Sequence, residues 1–315
     1  MIVTITLNAA LDRTLRVPNF QLGVRHRADA SGRLPGGKGV NIARALRGLG
    51  QPVIATGLAG GRTGTQIIEE LTTEGILNDF VRIADESRTS TAVIDSTSGQ
   101  QTEINEYGPH VSEAELEVLR DKIRYLSKGA DMFVVAGSLP RDVPVDLYET
   151  LVRALRRDHK LTAVDASGPA LRAALAAEPG VVSPNVREAE EIVGHEFTDE
   201  TDMAAAVETL VSMGAESALI HHEDGCVALV RTASGRKPVL YSARLPRRAD
   251  VISTIGSGDA FLAGYLSARY GNQEPVNALA LAVACGAAST QSFAAGAFDP
   301  GDVESLMRRV EVDRL

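Results

Sequence analysis

The chain has 315 residues, 44% hydrophobic and 23% charged, enough to bury a full core as one large α/β domain or two smaller ones. A formal net charge of −9 argues against nucleic acid or an anionic membrane surface as its main partner. Cys226 and Cys285 lie far apart in apolar surroundings and are expected as buried free thiols, not as a disulfide or a metal pair.

Residues 2–7 alternate like a strand, carry no basic segment ahead of them and meet Asp12 too early for a signal peptide. Further apolar strands are expected at 53–56, 132–136, 162–165, 181–183 and 218–221. Helical periodicity runs over 40–49, 66–74, 145–156, 203–213 and 259–270, with Gly50, Gly75 and Gly214 as stop signals. This alternation predicts a mostly parallel sheet with helices on both faces. Two stretches break the rhythm. Residues 13–34 are polar and basic; from residue 89 the pattern reads as a hairpin, with strands at 90–95 and 101–105 about a turn at Ser98-Gly99. Both are expected to leave the main sheet and form a small β-lid that keeps water from a reaction. The longest apolar run, near 278–288, is too short to span a bilayer, so the chain is expected to be soluble and cytoplasmic.

Pro35-Gly36-Gly37-Lys38-Gly39-Val40-Asn41 is a glycine-rich turn opening a helix. Its spacing from Gly32 imitates a P-loop, but position 39 is Gly, so the hydroxyl that would hold Mg²⁺ is missing and the P-loop reading is rejected. The glycines could instead bring backbone amides against a polyol, with Lys38 and Asn41 as donors. A second glycine turn, Thr254-Ile255-Gly256-Ser257-Gly258-Asp259, also opens a helix. Bare amides and the positive end of a helix dipole attract a phosphate there, and Asp259 could take a proton from an attacking hydroxyl. Capping alone would also explain an Asp at that position. A nicotinamide-binding reading is discarded, because the turn after the first strand reads Asn8-Ala9-Ala10-Leu11-Asp12 and not Gly-x-Gly-x-x-Gly.

Together the two glycine motifs resemble the paired signatures of the ribokinase-like (PfkB) carbohydrate kinases. Residues 6–12, 102–109 and 136–140 are similar to the phosphosugar-kinase branch, which holds 1-phosphofructokinase, tagatose-6-phosphate kinase and the minor 6-phosphofructokinase. The resemblance implies one ribokinase-like domain over 1–315, a three-layer α/β/α sandwich with lid segments about 13–34 and 89–108. It implies Asp259 as catalytic base beside an anion hole of Gly256, Ser257 and Gly258. Asn185-Val186-Arg187-Glu188 is similar to the family's Asn-x-x-Glu motif. Asn185, Glu188 (indirectly, for the metal), Thr254, Gly256 and Gly258 are thus expected around ATP and Mg²⁺. Asp12, Gly37, Asn41 and Ser138 are expected at the sugar, and Arg25, Arg27, Lys38 and Arg88 to converge on a substrate phosphate. His221 and His222 are read as exposed residues of a strand end.

The implied reaction is ATP-dependent phosphorylation of a primary hydroxyl of a ketohexose phosphate. Fructose 1-phosphate going to fructose 1,6-bisphosphate leads, with tagatose 6-phosphate and fructose 6-phosphate as alternatives. A non-catalytic sugar-phosphate-binding regulator is the reading from another class. The chain departs from the family pattern at Ala9, a backbone change where a proline is common, and at Ser183, where a frequent lysine would bear on nucleotide contact. Residues 88–93 lack the Asn and Lys associated with fructose 1-phosphate, which bears on the sugar. Glu103 fits the 1-phosphofructokinase and tagatose-6-phosphate kinase pattern. The lid is also a candidate surface for a homodimer, because an apolar hairpin would otherwise leave an unprotected edge.

Overall fold

The computed structural model describes residues 1–231, 237–246 and 251–315. The first third runs β1 (Ile2–Thr6), β2 (Ala10–Arg16), β3 (Ala30–Gly36), α1 (Lys38–Gly48), β4 (Val53–Gly60), α2 (Gly61–Thr73), β5 (Leu77–Asn78), β6 (Val81–Ile83), β7 (Arg88–Ile94) and β8 (Gln101–Asn105). The middle holds α3 (Glu113–Leu126), β9 (Met132–Ala136), α4 (Leu147–Arg157), β10 (Leu161–Asp165), α5 (Gly168–Leu175), β11 (Val181–Val182), α6 (Val186–Val193), α7 (Glu200–Ser212) and β12 (Ser217–His222). The last part holds β13 (Gly225–Val230), β14 (Val239–Arg244), α8 (Ser257–Tyr270), α9 (Pro275–Ser289), α10 (Pro300–Met307) and β15 (Glu311–Arg314).

One large sheet has the order β15-β14-β13-β12-β11-β10-β9-β1-β4-β5, with β6 also on β4. From β12 across to β5 every pairing is parallel, while β13, β14 and β15 add an antiparallel edge. Strand β1, IVTIT, is buried along its whole length, as a central parallel strand covered on both faces must be. Its alternation divides the core. Val3 and Ile5 join Leu116, Tyr148, Leu151 and Leu171 on the side of α3 to α7. Ile2 joins Val40, Leu46, Phe261, Tyr265 and Leu279 on the side of α1, α2, α8, α9 and α10. The result is three layers, helices on sheet on helices, the ribokinase-like arrangement. Among the described residues no helix is long and apolar enough to cross a membrane.

A second, four-stranded sheet has the order β3-β2-β7-β8. Asp12 stands opposite Leu34 on one side and Ser90 on the other, and Ser90 opposite Asn105. The hairpin falls where the alternation put it, and residues 13–34 supply parts of β2 and β3 joined by an exposed turn. The antiparallel edge and the helices α3, α5, α9 and α10 were not among the expected elements. Cys226 and Cys285 are buried free thiols.

Helices α8 and α9 pack at close range through small residues. A Cβ on Gly264 would come within 2.8 Å of the Leu281 carbonyl oxygen and 3.0 Å of Cys285 Sγ. Gly264→Val is therefore expected to destabilise the protein by about 1–3 kcal/mol through overpacking. A lower urea midpoint with an unchanged m-value would register it, and an unchanged midpoint would contradict this packing.

Candidate active site

Parallel α/β sheets bind ligands beyond the carboxyl ends of their strands, where side chains from several strands and helix starts converge. Here a cleft of ≈ 1370 Å³ opens at those ends. It is lined by Asn8 after β1, Ser138 after β9, Asp165 closing β10, Asn185 after β11 and His221 on β12. The lid contributes Asp12, Arg88, Ser90, Glu103 and Asn105, and α8 contributes Gly256, Ser257, Gly258 and Asp259.

The start of α8 follows from its sequence. Gly256 is the N-cap in the left-handed region, φ 76°, and no side chain caps the first turn. A Cβ there would come within 2.8 Å of Ala295 Cβ and 2.9 Å of the Gly296 nitrogen. Thr254 lines the cleft, and its carbonyl accepts from the Ser257 amide at 3.2 Å and from Ser257 Oγ at 2.9 Å. No side chain occupies the positive end of this 14-residue helix, a place where an anion can be held.

Asp259 lies in the first turn of that helix and is only 6% exposed. Its Oδ2 accepts from Asn41 Nδ2 at 2.8 Å. Burial, with the like charge of Asp165, pushes its pKa up to about 7, while Lys38 and the Asn41 hydrogen bond pull the other way. A carboxyl so placed can take up a proton near neutrality. Asp12, across the cleft on the lid, is raised to about 6 by burial, with Arg88 and Arg44 opposing the shift.

Lys38 lines the cleft, where it is already ion-paired: Nζ donates to Asp165 Oδ1 at 2.6 Å and to Glu188 Oε1 at 3.0 Å. Burial alone would lower the ammonium's pKa, but Asp165, Glu188 and Asp259 together raise it above the usual lysine range. Arg25 and Arg27 do not join it. They lie on the exposed turn between β2 and β3, outside the cleft lining. Of the four cations expected to converge, Arg88 is the one the cleft holds at its lid side, with Nε donating to the Asn8 carbonyl at 3.2 Å. Ser138 lies nearby, its Oγ accepting from Asn8 Nδ2 at 3.1 Å. Gly37 lines the cleft beside Thr6, with φ 101°.

Asn185 and Glu188 form a reciprocal capping box at the start of α6. Glu188 Oε2 accepts from the Asn185 amide at 3.0 Å, leaving Oε1 to face Lys38. Glu188 and Asp165 thus share the Lys38 ammonium between them. Among the described residues no three His, Cys, Asp or Glu side chains converge on a metal position.

His221 and His222 are half-buried cleft residues, not exposed ones. The His221 ring stands 5.3 Å from that of Phe261, and a Cβ on Gly258 would come within 2.7 Å of its Cε1. Burial and the charge of Lys38 hold its pKa down to about 4, so the imidazole is neutral at physiological pH. Sequence reasoning missed Asp165 as a site residue; the available signal was a carboxylate closing a predicted strand. Arg44, outside the cleft lining, looks from sequence like one more helical arginine, yet it hydrogen-bonds Asn41 Oδ1.

Comparison with known proteins gives the same outline. Residues 3–300 match the model of the pfkB family carbohydrate kinases. A 1-phosphofructokinase of Borreliella burgdorferi is 31% identical over 316 residues, covering 100% of this chain and 99% of the relative. The structure of phosphofructokinase-2 from Escherichia coli in complex with fructose-6-phosphate aligns with a TM-score of 0.86 at 27% identity, over 98% of each chain. A ribokinase from Arabidopsis thaliana, complexed with ribose and ATP, is 21% identical and shares the fold at a TM-score of 0.74 over 98% of each chain.

Proposed function

The chain belongs to the pfkB family of carbohydrate kinases, and on that premise we propose that it transfers the γ-phosphoryl group of Mg-ATP to the free primary hydroxyl of fructose 1-phosphate, forming fructose 1,6-bisphosphate. The family makes it a phosphotransferase that uses ATP and acts on a sugar phosphate. The observation that carries the mechanism is the buried carboxyl of Asp259 in the same helical turn as the uncapped amides of α8. In this reading Asp259 accepts the hydroxyl proton as that oxygen attacks phosphorus in line. The amides of Gly256, Ser257 and Gly258 take up charge that develops on the migrating group, and positioning with electrostatics supplies most of the acceleration. Asp12, Asn41, Gly37 and Ser138 orient the sugar, and Arg88 meets its phosphate. Asn185, Glu188 and Thr254 belong to the nucleotide side. Mg²⁺ arriving with ATP would offset phosphate charge there, with Glu188 acting on it only indirectly.

The likeness to the Borreliella 1-phosphofructokinase favours fructose 1-phosphate, and Glu103 on the cleft face of the lid speaks against fructose 6-phosphate without separating fructose 1-phosphate from tagatose 6-phosphate. The test is ADP release with Mg-ATP against fructose 1-phosphate, tagatose 6-phosphate, fructose 6-phosphate and free fructose. Preference for fructose 1-phosphate is expected. Preference for another phosphosugar overturns the substrate, and preference for free fructose overturns the role of Arg88.

The base must be ionised to act, and its pKa is raised to about 7. We therefore expect kcat/KM to fall about tenfold per pH unit below that value and to level off above it. A profile flat down to about pH 5 would remove Asp259 as the base. The lid is further proposed to pair two copies of the chain. Ile104, 62% exposed, lies on the edge strand β8, where an uncovered apolar edge invites pairing. Light scattering is expected to report a dimer, and a monomer at micromolar concentration would contradict this.

A further inference from the structure

One guanidinium joins four parts of the molecule. Arg44 lies on α1 one turn beyond Asn41, and its side chain is 9% exposed. Nε and Nη2 hold the two carboxylate oxygens of Glu74, just past α2, at 2.6 and 3.0 Å. Nη2 also donates to the Pro35 carbonyl of lid strand β3 at 2.7 Å. Nη1 donates to the Ala295 carbonyl at 2.8 Å and to Asn41 Oδ1 at 3.0 Å. Arg44 is not among the described residues that line the cleft, so whatever it does there passes through its partners.

The Asn41 contact has a directional consequence. A carboxamide has one acceptor end and one donor end. With Oδ1 held by Arg44, Asn41 presents its NH₂ to Asp259, where Nδ2 donates to Oδ2 at 2.8 Å. Rotated by half a turn, the amide would set its oxygen against a carboxylate oxygen and push it away. The Ala295 contact acts on the same helix start from another side, since Ala295 packs where Gly256 has no Cβ. One side chain thus fixes both the partner of the carboxylate and the loop supporting the uncapped amides, and ties both to the lid.

We propose that Arg44 is a positioning residue: by holding the Asn41 carboxamide in one orientation it aims the Asp259 carboxylate, and through Pro35 it couples that aim to the lid. The inference rests on the reading of Asp259 as the base. The other charges that bear on Asp259 are Asp165 and Asp12, which oppose its ionisation, and Lys38, which favours it.

The experiment compares Arg44→Ala, Arg44→Lys, Asn41→Ala and the double variant Arg44→Ala/Asn41→Ala with the wild-type enzyme. Arg44→Ala should lower kcat about 30- to 100-fold, the scale of a misaimed catalytic group, and change KM for the sugar phosphate less than about threefold. Arg44→Lys keeps the charge for Glu74 but cannot reach the other acceptors at once, so it should lose kcat similarly and serves if the alanine variant does not fold. The double variant should lose far less than the product of the two single losses, because on the Asn41→Ala background Arg44 has no amide left to hold and its removal costs only its contacts to Glu74, Pro35 and Ala295. In each active variant the acid limb of the pH profile should move upward, which a purely structural role would not produce. Losses that multiply in the double variant, or a folded Arg44→Lys enzyme within about threefold of wild-type kcat, would overturn the proposal. A readout independent of turnover separates this from the function itself. The Asn41 side-chain NH₂, observed by NMR with labelled asparagine, should be protected from exchange in the wild type and lose protection in Arg44→Lys; equal protection in both overturns the proposal, whatever the enzyme phosphorylates.

Discussion

Asp259→Asn is expected to lower kcat by about three orders of magnitude while leaving the dissociation constant for the sugar phosphate within about threefold. The change is isosteric, and the amide can still meet Asn41, so the helix start and the cleft keep their shape. What disappears is the group able to accept the hydroxyl proton. Stability sharpens the test. A carboxyl whose folded pKa is raised favours the folded state while protonated. That advantage is lost as pH climbs from the ordinary 3.8 of an unfolded Asp through about 7. At pH 8 the wild type therefore holds a buried charge that asparagine does not carry, and the variant should melt at or above the wild-type Tm. An inactive variant with an undiminished Tm and intact calorimetric binding assigns Asp259 to the chemistry. Unchanged turnover would remove it from that role.

Gly256→Ala carries the second large expected effect. The left-handed conformation at φ 76° costs an L-residue about 1–2 kcal/mol. The added methyl would also stand 2.8 Å from Ala295 Cβ and 2.9 Å from the Gly296 nitrogen, a loop held by Arg44. Relief requires the start of α8 to move, and with it the amides meant for the phosphoryl group. Misdirecting one such donor costs on the order of 10²-fold or more in kcat. Gly194→Ala is the control: φ is 87° there, and nothing lies within 4 Å of the added Cβ. It should cost about 1 kcal/mol of stability and leave kcat alone. Equal kcat losses in the two variants would show that strain by itself, and not the placement of the amides, is responsible.

Much of this architecture was legible in residue order, and the reason differs from part to part. Strand β9 lies at 132–136, where it was expected, because a five-residue apolar run in a parallel core admits little else. The lid hairpin was legible because alternation and a Ser98-Gly99 turn are both local signals. The outermost strand of the antiparallel edge was not, since β15 pairs with a strand about seventy residues earlier and no short-range pattern announces such a partner. The glycine turns flagged the cleft, but charge pairing decided its inner arrangement. Lys38 reads as an available cation until β10 brings Asp165 to 2.6 Å and the capping box turns one Glu188 oxygen toward it. Arg25 and Arg27 carry the same charge signal in the sequence as Arg88, and only the fold puts them on an exposed turn outside the cleft lining. Arg44 carried no motif, and its role depends on four acceptors that meet only in the folded chain.

The most direct test of the central claim is a ³¹P NMR time course of the wild-type enzyme with Mg-ATP and fructose 1-phosphate, run beside Asp259→Asn. The account predicts that a sugar 6-phosphate resonance grows in step with ADP in the wild type and is absent from the variant. ADP accompanied only by inorganic phosphate, or a sugar bisphosphate formed equally well by Asp259→Asn, would contradict it.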